Sequence, residues 1–164
     1  MKTLLIVYHS RTHTARLAAL MAKKGADSIK KSLAVEHQIL LKQAPEVTLE
    51  DLVNADSYLF CAPENLGTLS GAMKECLDTY YYDVLGKIEG RPFSAIIGAG
   101  TDGSGALRQL RTICTGWRLN EVVPSKILLT QADTPETIQA PKVLTKEQEE
   151  QAWEIGATLF ALMA

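Results

Sequence analysis

The sequence predicts an α/β fold, a doubly wound sheet of five parallel strands with helices on both faces. Three observations predict it. Short apolar runs alternate with amphipathic stretches of helical period along the whole length, the pattern of a sheet covered on both sides. The chain has 164 residues, 46% hydrophobic and 22% charged, which suits one core without staples. The series makes five β/α units with no second core, internal repeat or low-complexity segment, so residues 1–164 are expected to form one domain.

Leu4-Leu5-Ile6-Val7-Tyr8 reads as a buried first strand. From Thr14 to Lys24 the positions Leu17, Leu20 and Met21 recur at helical spacing, and Gly25 is expected to stop that helix. A second strand falls near Val35 to Leu41. Thr48-Leu49-Glu50-Asp51 has the form of a capping box opening a short helix. Tyr58 to Ala62 is the third apolar run, ended by Pro63, and Leu69, Met73, Cys76, Leu77 and Tyr80 mark one face of the helix after it. Phe93 to Gly100 is the fourth strand, followed by a helix with Ala106, Leu107, Leu110, Cys114 and Trp117 on its apolar face. Val122 to Thr130 is the fifth, interrupted at its start by Pro124. Ala132 to Leu144, with Pro135 and Pro141, is the last connection; its length suits a lid, an interface arm or a plain surface crossing. Lys146 to Met163 closes the chain as a helix with Glu147, Glu149 and Glu150 near its positive end.

A net charge of −2 leaves no electrostatic footprint for nucleic acid or a membrane surface. The partners expected are small molecules. No signal-peptide pattern follows Met1, so the cytoplasm is the expected location. Cys61, Cys76 and Cys114 are odd in number and set in apolar patterns, as reduced core residues are. No metal site is expected: His9 and His13 are four apart, but no further ligand type lies near them in sequence.

In a doubly wound sheet, ligands bind beyond the carboxyl ends of the strands. Three strand-end loops there are unusual. His9-Ser10-Arg11-Thr12-His13-Thr14-Ala15 carries hydroxyls at every second position before a helix start, where free N–H groups and the helix dipole favour a phosphate. The same residues also suit an ordinary polar helix cap. GxxxxGK[ST] is absent, which argues against nucleoside triphosphate hydrolysis. Pro63-Glu64-Asn65-Leu66-Gly67-Thr68 pairs a fixed dihedral with a permissive one. Gly98-Ala99-Gly100-Thr101-Asp102-Gly103 spells GxGxxG, but it follows the fourth strand rather than the first. The next strand also ends in Leu129-Thr130-Gln131, with no acid for a ribose, so a Rossmann dinucleotide site is disfavoured.

The segment from Cys61 to Asp78, a strand ending in Pro, a turn with Gly four residues on and a helix carrying Lys and Leu-Asp, resembles the flavin-ring loop of flavodoxin-like oxidoreductases. It is closest to the NADPH-dependent FMN reductases and the related quinone reductases of the tryptophan-repressor-binding-protein family. The resemblance implies a 2-1-3-4-5 sheet and FMN as cofactor, with the phosphate on His9, Ser10, Arg11, Thr12, His13, Thr14 and Ala15. Pro63, Glu64, Asn65, Leu66, Gly67 and Thr68 fall on the positions that read the polar edge of the ring, and Gly100, Thr101, Asp102 and Gly103 on the second ring loop. His9 and Arg11 depart from the Ser, Thr or Gly usual in flavodoxins. The activity implied is NADH- or NADPH-dependent reduction of a quinone or other small acceptor, with no catalytic acid or nucleophile on the protein. A flavodoxin-type electron carrier is the alternative, for which −2 is a poor match to strongly acidic carriers; a third is a binding module without flavin. Tyr80-Tyr81-Tyr82, Trp117 and Trp153 read first as core or interface aromatics, leaving a homo-oligomer open.

Overall fold

The computed structural model describes residues 1–164. Strand β1 (Thr3–Tyr8) leads to α1 (Thr14–Leu33), β2 (Gln38–Gln43) and, after a 3₁₀ turn at Ala44–Glu46, α2 (Leu49–Asn54). Next come β3 (Ser57–Asn65), the short β4 (Thr68–Leu69), α3 (Gly71–Thr79), α4 (Tyr81–Val84), β5 (Pro92–Ala99) and α5 (Ser104–Gly116). The two short strands β6 (Asn120–Glu121) and β7 (Lys126–Leu129), then α6 (Pro135–Gln139) and α7 (Lys146–Ala161), complete the chain.

The order across the sheet is β2-β1-β3-β5, with β6 and β7 both pairing β5 in parallel on its far side. Pro124 sits between the two pieces, so together they occupy the fifth position of the expected order. Alternate residues divide two cores. Leu5, Val7, Tyr58, Phe60, Ala95 and Ile97 face α2, α3 and α5, while Leu4, Ile6, Leu59, Cys61 and Ile96 face α1 and α7.

Gly25 does not stop α1. The helix runs on to Leu33, because Gly25 faces α7 and its missing side chain lets the backbones meet: a Cβ there would lie 2.0 Å from the Trp153 carbonyl oxygen. Gly156 does the same from α7 toward the Ala22 carbonyl, at 1.9 Å. Buried Ala15, Ala18, Ala19, Ala22 and Ala26 form the rest of α1's close-packed stripe. The second strand begins three residues later than expected.

Pro63 does not end β3 either. It pairs with Gly98 near the end of the ladder, where a missing N–H is tolerated, and β3 continues to Asn65 before folding back onto β4. Leu69 therefore belongs to β4 rather than to α3. Thr48 does cap α2: its hydroxyl accepts the Asp51 N–H at 3.2 Å, and Asp51 accepts the Thr48 N–H at 2.8 Å. The last connection contains α6, capped by Thr134. All three cysteines are buried and free. Trp117 is core, Tyr80 donates its hydroxyl to the Val47 carbonyl at 2.8 Å, and Tyr81, Tyr82 and Trp153 reach the surface. No helix is long and apolar enough to cross a membrane.

Candidate functional site: the crevice above the strand ends

Parallel pairing of β1, β3 and β5 brings their carboxyl ends to one edge, so the three unusual loops lie side by side. In the first loop, Ser10 and Thr12 are half-buried, Arg11 and His13 are exposed, and Thr14 and Ala15 are buried. The consecutive backbone N–H groups from Ser10 to Arg16 donate to no protein acceptor. α1 starts from His13, held at φ 83° and offering no side-chain cap. By contrast α2, α6 and α7 are capped by Thr48, Thr134 and Thr145. An open row of amides at the positive end of a twenty-residue helix is a place for an anion. Arg11 and Arg16 stand exposed beside it, and neither is held in an ion pair. Thr14 differs from the other two hydroxyl residues. Its methyl group packs over Gly98, where a Cβ would come within 2.8 Å.

The helix after the third loop is in the opposite state. Glu64 reaches across from β3: Oε1 accepts the Gly103 N–H at 2.9 Å and Oε2 the Ala106 N–H at 3.0 Å. Asp102 accepts the Ser104 N–H at 3.1 Å, and the Ser104 hydroxyl and amide hold its carboxyl below the ordinary value. The start of α5 is thus filled by the chain's own carboxylates, so the GxGxxG loop has no free helix end for a pyrophosphate. Gly103 supplies the left-handed turn, φ 88°, that begins the helix.

The second loop is a two-residue hairpin. Leu66 at φ 54° and Gly67 at φ 74° form its tip, both left-handed as a primed turn requires, and Asn65 pairs with Thr68. Asn65, Leu66, Gly67 and Thr68 are exposed, while Pro63 and Glu64 are half-buried. The hairpin leans on α5: Gln109 accepts the Leu69 N–H at 2.7 Å, and a Cβ on Gly105 would lie 2.1 Å from the Gly67 carbonyl.

Residues with no signal of their own in the sequence complete the frame. The buried Ser70 hydroxyl lies 2.9 Å from His9 Nδ1, tying the first loop to the foot of the second. Burial first, and the neighbouring Arg11 charge second, hold His9 below the usual histidine pKa. Beyond the fifth strand position, Gln131 donates its N–H to the Gly100 carbonyl at 2.8 Å, and Lys142 donates its N–H to the Thr12 carbonyl at 2.8 Å. The connection through α6 therefore runs from the third loop round to the first.

The thiols take no part in this chemistry. Burial pushes Cys61 and Cys114 up and Cys76 to about 11, so all three stay protonated. No cluster of His, Cys, Asp or Glu suits a metal ion.

Known proteins resemble this chain in sequence and in fold. The profile of the family described as NADPH-dependent FMN reductase matches residues 9–134. A flavodoxin of Aquifex aeolicus (strain VF5) is 30% identical over 105 residues, which make up 64% of this chain; the match spans about half of that protein, 54%. Among solved structures, a flavodoxin from the domain Archaea superposes with a TM-score of 0.74 at 13% identity, covering 98% of this chain and 97% of that one. A WrbA-like flavodoxin from Agrobacterium tumefaciens gives 0.74 at 15%, covering 99% and 97%. With three-quarters of its length matched, this flavodoxin-like chain belongs to the NADPH-dependent FMN reductase family, and FMN is its cofactor.

Proposed function

We propose that residues 1–164 act as one FMN-dependent oxidoreductase unit that draws electrons from NADH or NADPH and delivers them to a quinone or another small acceptor. The observation that carries the reading is the open row of amides from Ser10 to Arg16 at an uncapped helix end, set beside an α5 whose own end is filled. One anion fits, and it fits at the first loop. That is what a ligand with a single phosphate at one end and a neutral ring at the other asks for.

In this reading the amides and the hydroxyls of Ser10 and Thr12 hold the phosphate, with Arg11 and Arg16 adding charge. His9, His13, Thr14 and Ala15 shape that loop. The hairpin from Pro63 to Thr68 presents backbone donors and acceptors to the polar edge of the ring, and Gly100, Thr101, Asp102 and Gly103 form the second ring loop, in which Gly100 and Gly103 lack side chains because Ala132 and Ile127 occupy that space. When bound, FMN would supply the redox chemistry between a reduced nicotinamide and the acceptor. The protein's share is to bind, orient and restrict access, which fits the protonated state of its thiols.

The flavodoxin relative supports a second reading, an electron carrier between proteins. A carrier need not admit a nicotinamide against the ring. FMN-loaded protein is mixed anaerobically with NADH or NADPH while the visible absorbance of the flavin is followed. Bleaching within seconds is expected. No bleaching over many minutes, with ready reduction by dithionite, contradicts the reductase and favours the carrier.

A further inference from the structure

Resemblance puts Glu64 among the residues that meet the flavin ring, yet its carboxylate is engaged elsewhere. Both oxygens are taken by α5, Oε1 by the Gly103 N–H at 2.9 Å and Oε2 by the Ala106 N–H at 3.0 Å. Two independent contacts join the same two segments: Gln109 accepts the Leu69 N–H at 2.7 Å, and Gly105 leaves room for the Gly67 carbonyl. At the tip of the hairpin Leu66 is fully exposed. A two-stranded hairpin is marginal alone, and this one turns through a left-handed leucine that must be held from outside.

From this we infer that Glu64 is a positioning residue, whose carboxylate locks the second and third crevice loops into one preformed wall for the flavin ring. The inference rests on the FMN reading above. It makes the ring end of the site a single unit built from β3, β4 and the start of α5, separate from the phosphate end at α1. Loosening the lock therefore weakens the grip on the ring whether or not the ligand carries a phosphate. The carboxylate also sets a fixed negative charge beside that wall, which disfavours adding electrons to a ring held there.

The test uses the full chain, with FMN and riboflavin titrated by flavin fluorescence and the midpoint potential of the bound flavin measured. Glu64→Gln keeps the size and removes the charge. Both dissociation constants are expected to rise by the same factor, about 5- to 20-fold, with the potential moving upward. Gly105→Ala opens the same joint from the α5 side and should also weaken both ligands equally; it carries the test if Glu64→Gln does not fold. Glu121→Gln is the control for general loosening of α5, because it breaks the Arg111–Glu121 fork away from the loops. Unchanged riboflavin affinity and potential in Glu64→Gln overturn the inference, as does an equal loss in Glu121→Gln. Wild-type protein that binds neither flavin overturns the FMN reading and this inference with it, so the two failures are told apart by the first titration.

Discussion

His13 adopts a backbone conformation that a glycine would hold more easily, at φ 83°, and a side chain there costs about 1 kcal/mol. Because the strain is local, His13→Gly should raise stability by up to about 0.5 kcal/mol once the more flexible unfolded chain is set against it; chemical denaturation reads this, and a loss contradicts it. Thr12 is half-buried in the row of open amides, and a hydrogen bond to a charged group is worth about 1.5–3 kcal/mol. Thr12→Ala should therefore weaken FMN roughly 10-fold or more and leave riboflavin unchanged. Thr14→Ala is a less clean variant, since its methyl also packs over Gly98. His9 gives a pH effect of definite sign. Its folded pKa lies below the ordinary 6.5, so the unfolded chain takes up the proton first as pH falls. The stability His9 contributes is present above pH 6.5 and is lost below it. The carboxylates of Asp51 and Glu121 are held low from ordinary values of 3.8 and 4.5; for each, burial opposes the shift but is outweighed by hydrogen bonds and a neighbouring cation. Their contribution is lost only in more acid solution. Between pH 7 and 5.5, wild type should lose stability that His9→Gln keeps; parallel pH profiles would remove His9 from the account.

At the scale of elements, glycine carries opposite meanings at different positions. Gly25 and Gly156 let α1 and α7 meet backbone to backbone. Alanine is the better helix former by about 1 kcal/mol, but overpacking costs about 1–3 kcal/mol and more against backbone. Gly25→Ala and Gly156→Ala should each destabilise by about 2–3 kcal/mol. Gly116, also helical, has open space around it, and Gly116→Ala should be neutral or stabilising by up to about 1 kcal/mol. Thermal denaturation of the three variants checks the contrast, and equal effects would contradict it. These positions also mark where reading the sequence stops. Helical and strand periods located most elements, and the Thr48 box was legible because all its partners lie within four residues. Gly25 read as a stop because only a distant helix explains it. Pro63 read as a strand end because its place at the end of a ladder is a property of the sheet.

At the scale of the molecule, the three loops and the α6 connection brace one another at the carboxyl ends of the strands: His9 to Ser70, Glu64 to α5, Gln131 to Gly100 and Lys142 to Thr12. The loops themselves were legible, since hydroxyls before a helix and glycines after a strand are local signals. The braces were not, because they join residues 61, 39 and 42 positions apart in the case of His9–Ser70 and the two Glu64 bonds, and no short pattern records such a pairing. The same frame explains why the GxGxxG loop offers no free helix end: the start of α5 already holds Glu64 and Asp102. The central claim is that one phosphate binds at α1 and a flavin ring lies along the braced loops. It is tested most directly by titrating wild-type protein with FMN and with riboflavin under the same conditions. Two or more charge-assisted bonds at the open amides predict FMN tighter by at least about 100-fold. Equal affinities would show that the open end of α1 holds no phosphate and would contradict the account.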